Sequence, residues 1–259
     1  MENLYKLDGK VPILKAILFG LKHILAMFVA NLSPITLIGL ASSLKQTEIA
    51  FLLQNGMFIA GIATLIQLYP IWKIGSRLPI VMGVCFTFVA ILTYVGATYG
   101  YASAMGAVLI GGLIEGCLGL LARYWKKIIT PIVAASVVTS IGFSLFSVGT
   151  RSFGGGYSES FGSAKNLLLG IITLAACLLF NIFAKSYWKQ LSVLFGLIVG
   201  YILAIFMGKV DLSVIFNGGL IALPHLFPFK IKFDLGTIIA VVVIFLVSAA
   251  ETIGDTQPL

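Results

Sequence analysis

Eight apolar runs, each about long enough to cross a lipid bilayer, occupy most of this 259-residue chain and leave it few ways to fold. They lie near 14–38, 48–70, 79–98, 103–122, 128–148, 166–184, 191–207 and 235–256. A spanning helix needs about 20 mostly apolar residues to cover about 30 Å of hydrocarbon. None of the runs alternates apolar with polar residues, so helices rather than barrel strands are expected to span. A water-facing fold is excluded by composition. Only 10% of residues are charged and 59% are hydrophobic, with a mean hydropathy of +1.09, whereas a soluble domain carries about 25% charged residues. The expectation is an all-α membrane protein of about eight transmembrane segments.

The net charge of +8 does not point to nucleic acid, because the basic residues sit in short patches between the apolar runs. Counted with the N-terminus inside, the cytoplasmic side holds eleven: Lys6, Lys10, Lys15, Lys22, Lys73, Arg77, Arg123, Lys126, Lys127, Lys185 and Lys189. The opposite side holds six: Lys45, Arg151, Lys165, Lys209, Lys230 and Lys232. The positive-inside rule therefore favours a cytoplasmic N-terminus, with Lys15 and Lys22 at or inside the first span and able to snorkel. Residues 1–11 are polar and the first apolar run is too long for a cleavable signal peptide. Cys85, Cys117 and Cys177 all fall in apolar runs without a CxxC pair, so packing is their expected role and no disulfide framework or metal site is expected.

The third run opens on Arg77-Leu78-Pro79 and continues through Gly83, Cys85, Phe86, Thr87 and Phe88. Proline, glycine and β-branched residues make a poor helical start. Two forms fit: extended backbone followed by a half-helix, or an ordinary helix beginning at the proline. Non-helical backbone at membrane depth is tolerated only where it lines a cavity or is buried in protein.

Beyond Glu48, at the very edge of the second run, three acids fall within the runs, Glu115, Glu251 and Asp255, and an ionisable group in hydrocarbon costs about 2.5–3.5 kcal/mol on insertion scales. Glu251 and Asp255 are four apart, on one helical face a turn from each other. Two buried carboxylates that close disfavour double ionisation, so one can hold a proton near neutral pH. The other reading ends this helix near residue 250 and leaves both acids wet. Glu115 is expected to bond within the bundle or face an interface. His23, inside the first run, reads as a structural hydrogen-bonder or a ligand, and His225 as a loop residue. Gly154-Gly155-Gly156 lacks the strand and the Lys-Ser/Thr of a phosphate loop and reads as a flexible loop. GxSxG is absent and neither histidine adjoins a nucleophile elbow, so no enzyme is expected.

Four passages resemble the nucleobase/ascorbate transporter family of bacterial uracil, xanthine and urate permeases. They are 21–28 around Lys22-His23, 83–88 around Phe86-Thr87, 130–156 from Thr130-Pro131 to the glycine run, and 250–255 around Glu251. The resemblance covers residues 15–256. It implies the first repeat of a 7+7 inverted-repeat fold, with 1–127 as core segments 1–4, 128–234 as gate segments 5–7 and 235–259 opening core segment 8. It implies that Glu251 accepts hydrogen bonds from base N–H groups, that Phe86 stacks on the ring and that backbone around Phe86 and Thr87 offers polar contacts. Asp255 would share the proton of Glu251, and His23 would brace the site. An acid at Asp255 is similar to purine carriers, whereas uracil carriers often have histidine there.

Lys22 departs from the family's usual glutamine. The chain also stops at Leu259, inside the eighth of fourteen expected segments, and reads as a fragment or truncated product from which transport alone is not expected. The function implied is a secondary transporter of purines such as xanthine or urate, with proton rather than sodium coupling and no cofactor, in the cell membrane, pairing as a homodimer as its relatives do. The alternatives are a non-transporting remnant or assembly partner, and the related anion-transporter branch, which two acids in the site argue against.

Overall fold

The computed structural model describes residues 12–72, 74–78, 80–121, 124, 130–158, 160–184, 188–210, 224 and 229–256. The side chains of residues 15, 18, 19, 22, 26, 29, 131, 134, 190 and 253–256 are outside that description. Eight α-helices lie among the described residues: α1 (Ile13–Ala41), α2 (Gln46–Leu68), α3 (Val89–Tyr99), α4 (Tyr101–Leu120), α5 (Pro131–Phe153), α6 (Ala164–Phe183), α7 (Ser192–Phe206) and α8 (Leu235–Thr256). Short 3-10 turns at Phe86–Phe88 and Trp188–Leu191 precede α3 and α7. Five helices are long and apolar enough to cross a membrane, within α1, α2, α4, α6 and α8, and α3 and α7 are shorter apolar helices. The chain divides into two compact units, one of 1–33, 53–84 and 153–224, the other of 34–52, 85–152 and 225–259. The first boundary falls at Pro34, a proline inside α1 that removes one i→i−4 bond from the helix ladder.

In the second unit α4 and α8 run parallel. Lys232 N–H donates to the Ala102 carbonyl at 3.1 Å near the start of both, and farther along a side-chain bond joins Glu115 to Ser248. Small residues make the approach possible, as is usual where helices associate in lipid. A Cβ on Gly106 would run into the Lys232 carbonyl, and one on Gly111 into the Phe245 ring. The helix starts where it does because Asp234 caps it, its carboxylate accepting from Thr237 N–H at 3.0 Å. The buried core comprises Ile38, Leu92, Val95, Ala104, Ala107, Val241 and Phe245, with the Phe88 ring 4.6 Å from that of Phe245.

In the first unit α6 and α7 form an antiparallel pair. Asn181 donates to Ser192 at 3.2 Å, and Gly196 and Gly200 pack onto Cys177 and Thr173 respectively. Gly196-Leu-Ile-Val-Gly200 is a GxxxG stretch, the pattern that lets two helix backbones close up in a membrane. The glycine run after α5 is an ordered turn here rather than the flexible loop its composition suggests. Gly155 and Gly156 adopt φ of +113° and +67°, and the buried Asn166 side chain donates to the Gly154 and Ser160 carbonyls at 3.3 and 2.8 Å. Lys209 Nζ donates to the Asn166 Oδ1.

Candidate functional site

The third apolar run is broken. Residues 80–85 are non-helical, Phe86–Phe88 make one 3-10 turn, and α3 then runs only 11 residues, about 16 Å or half the hydrocarbon thickness. Backbone that leaves the helix at membrane depth still needs partners for its N–H groups, and here side chains supply them. Met82 N–H donates to Thr64 Oγ1 at 3.0 Å, and Val84 N–H to Asn31 Oδ1 at 2.7 Å. Gly83 is needed between them, because a Cβ there would sit 2.5 Å from Asn31 Oδ1. Of the two forms open to this run, the structure takes the extended segment followed by a half-helix.

Asn31 and Thr64 carry this arrangement, and sequence reading passed over both. The available signal was an asparagine and a threonine inside apolar runs, where an unpaired amide or hydroxyl is costly. Asn31 is 1% exposed, and its Nδ2 makes a long contact of 3.9 Å to Met57 Sδ.

Cys85, still extended at φ −87° and ψ 137°, caps the turn that follows. Its sulfur accepts from Thr87 N–H at 3.4 Å and donates to Thr87 Oγ1 at 3.0 Å. Packing alone therefore understates Cys85. Thr87, 6% exposed, passes the chain on, donating from Oγ1 to Glu251 Oε2 on α8 at 2.6 Å, with Cys85 Sγ 3.8 Å from the same oxygen. The carboxylate of Glu251 thus meets the N-terminal turn of the half-helix, the end of a helix that favours negative charge.

Thr87 and Glu251, both named from sequence, are in direct contact. Phe86 is beside them in the chain, in the same 3-10 turn, 38% exposed. His23 belongs to the first unit, where it lines a cavity of about 400 Å³ with Met27, Ala30, Asn31, Gly83 and Val84. Helix α8 continues past residue 250 to Thr256 and so includes both acids in its backbone; the side chain of Asp255, like that of Lys22, lies outside the described residues, as does His225. Glu115 bonds within the bundle, to Ser248. Among the described residues no group of three or more histidine, cysteine or acidic side chains is placed to hold a metal ion.

Discontinuous helices of this kind recur at the binding sites of secondary transporters. The chain is all-helical among the described residues, with five helices long and apolar enough to cross a membrane. Residues 14–258 match the Permease family, and the chain belongs to it, among the nucleobase/ascorbate transporters. It is similar to the uric acid permease PucK of Bacillus subtilis (strain 168), at 35% identity over 247 residues, covering 93% of this chain and 56% of the relative. The xanthine permease XanQ of Escherichia coli (strain K12) is 30% identical over 267 residues, 98% of this chain and 57% of the relative. The nucleobase transporter PlUacP of Paenibacillus larvae subsp. larvae (strain NRRL B-3650 / LMG 16245) is 34% identical over 246 residues, with 93% and 56% covered. The chain spans a little over half the length of these relatives.

Proposed function

We propose that this chain supplies substrate-binding elements of a nucleobase permease that carries an oxopurine such as xanthine or urate. The relatives are uric acid and xanthine permeases, and an oxopurine is a flat ring with N–H donors and carbonyl acceptors on its rim. The observation that carries the reading is the bond from Thr87 to Glu251. With one oxygen occupied by Thr87, the carboxylate keeps lone pairs for ring N–H groups, and a charge-assisted bond of that kind is about twice as strong as a neutral one.

In this reading Phe86 stacks on the ring and the 3-10 turn adds backbone contacts. Asp255, one turn beyond Glu251, shares or relays a proton, and His23 braces the first helix. Proton coupling is favoured over sodium because two carboxylates on one helical face disfavour joint ionisation. Segments 1–4 and the start of segment 8 (1–127 and 235–259) serve as core and 128–234 as gate, alternating access between the two faces of the cell membrane. The N-terminus is cytoplasmic, and the intact protein works as a homodimer.

The test is uptake of radiolabelled xanthine and urate by cells that lack their own purine permeases and express the intact gene. Uptake by the wild type and its loss in Glu251→Gln, at equal amounts of membrane-inserted protein, is the expected result. Normal uptake by Glu251→Gln would remove the carboxylate from the mechanism.

A further inference from the structure

The second unit contains a groove of about 700 Å³ beside Thr87, walled by α3, α5 and α8, within the roughly 300–1,000 Å³ of small-molecule sites. Its lining is mostly apolar, and the polar groups on it fall on two sides. One is Thr87. The other is a row on α5, Ser136, Ser140 and Ser144, spaced by four so that they share one helical face. Val247 of α8 also lines the groove and lies one turn before Glu251, on the same face of that helix.

The hydroxyls of α5 are not equivalent. Ser136, Thr139, Ser144, Ser147, Thr150 and Ser152 each donate to a carbonyl three or four residues back, at 2.8–3.1 Å. Such back-bonding is how serine and threonine ordinarily satisfy themselves in an apolar helix. Ser140 has no such acceptor among the described residues, although it faces the groove. It keeps a donor for whatever enters.

We infer that Ser140 is a specificity-determining residue, donating a hydrogen bond to a ring carbonyl of an oxopurine whose N–H edge is held by Glu251. This rests on the proposed permease reading and deepens it. The pairing requires a ligand with an acceptor across the ring from its donor edge, as oxopurines have. A purine lacking the carbonyl forgoes the hydrogen bond from Ser140, whose side chain is exposed on the groove face of α5. Oxopurines are therefore preferred over adenine partly through α5.

The test compares Ser140→Ala, Ser140→Thr and Thr139→Ala in the intact permease, reading KM and maximal uptake of labelled xanthine at matched membrane abundance. Loss of one neutral hydrogen bond predicts that Ser140→Ala raises KM about three- to tenfold and leaves maximal uptake unchanged. Competition by unlabelled adenine should strengthen relative to xanthine in that variant. Ser140→Thr, which keeps the hydroxyl, and Thr139→Ala, a neighbour outside the groove lining, should both behave as wild type. If Ser140→Ala matches wild type in KM and competition while Glu251→Gln abolishes uptake, the Ser140 role is overturned and the permease reading stands. If the wild type takes up no purine, both fall together.

Discussion

Thr87 and Glu251 are 164 residues apart in the chain and 2.6 Å apart in space, hydroxyl to carboxylate. The bond ties the first turn of a half-helix to the eighth helix and fixes one oxygen of the acid. A hydrogen bond to a charged group contributes about 1.5–3 kcal/mol. Thr87→Val should therefore weaken binding of labelled xanthine by about ten- to hundredfold, while Thr87→Ser stays close to wild type. Equilibrium binding to isolated membranes checks this, and equal affinity for Thr87→Val would mean that the bond does not hold the acid for its substrate.

The extended segment before that turn depends on Asn31, whose side chain takes the Val84 N–H at 2.7 Å. Asn31→Ala leaves that N–H unpaired at a cost of about 1–3 kcal/mol. Gly83→Ala drives a methyl group to 2.5 Å from the same Asn31 oxygen and should break the same bond. The two changes act on one interaction, so the double variant should lose less stability than the sum of the single losses. Thermal unfolding in detergent, followed by size-exclusion chromatography, measures all three.

Glycines on one helix separate into those under contact and those that are free. Gly106 of α4 faces the Lys232 carbonyl, whereas Gly116 has nothing within 4 Å of its added Cβ. A backbone oxygen cannot swing aside as a side chain can, so Gly106→Ala should destabilise by about 1–3 kcal/mol. Gly116→Ala should be neutral or slightly stabilising, because alanine is the better helix former. Equal melting temperatures for the two variants would show that α4 and α8 do not approach through Gly106.

Asn166 holds the turn between α5 and α6 by donating to the Gly154 and Ser160 carbonyls while accepting from Lys209. Asn166→Ala removes these bonds together and should speed proteolytic nicking between residues 154 and 163 by about tenfold or more, since one net hydrogen bond alone is about 1 kcal/mol. Limited proteolysis of the purified protein reads the rate directly. An unchanged rate would mean that the glycine turn holds its shape without the asparagine.

How far the sequence reached depended on whether the feature was periodic or local. The eight runs were legible from hydropathy, and each overlaps one of the eight helices described. The break in the third run was legible from Pro79 and Gly83, though sequence left an unbroken helix equally open. Thr87 and Glu251 could be named by resemblance, but their contact joins distant parts of the chain and no spacing rule predicts it. Asn31 and Cys85 were missed for a related reason. Each serves a backbone N–H, of Val84 and Thr87, and the need for that service arises only once the third segment is known to leave the helix. The glycine run misled because composition shows three residues able to adopt positive φ, but not that Asn166 secures their turn.

The direction of the helices gives a last prediction. Parallel α4 and α8 require an odd number of crossings between them, and among the described residues the helices between them are α5, α6 and α7. Only α6 of the three meets the length and hydropathy of an unaided span. Helix α7 is 15 residues long, and α5 is diluted by its serines and threonines. The antiparallel α6–α7 pair sends the chain back the way it came, so among the described helices α5 is the crossing expected to keep the parity. With eleven basic residues on one side and six on the other, the N-terminus should be cytoplasmic. Alkaline phosphatase fused after residue 158 should then be active, and the same enzyme fused after residue 187 inactive. Activity at both positions, or at neither, would show that α6 does not cross, and the reverse pattern would put the N-terminus outside.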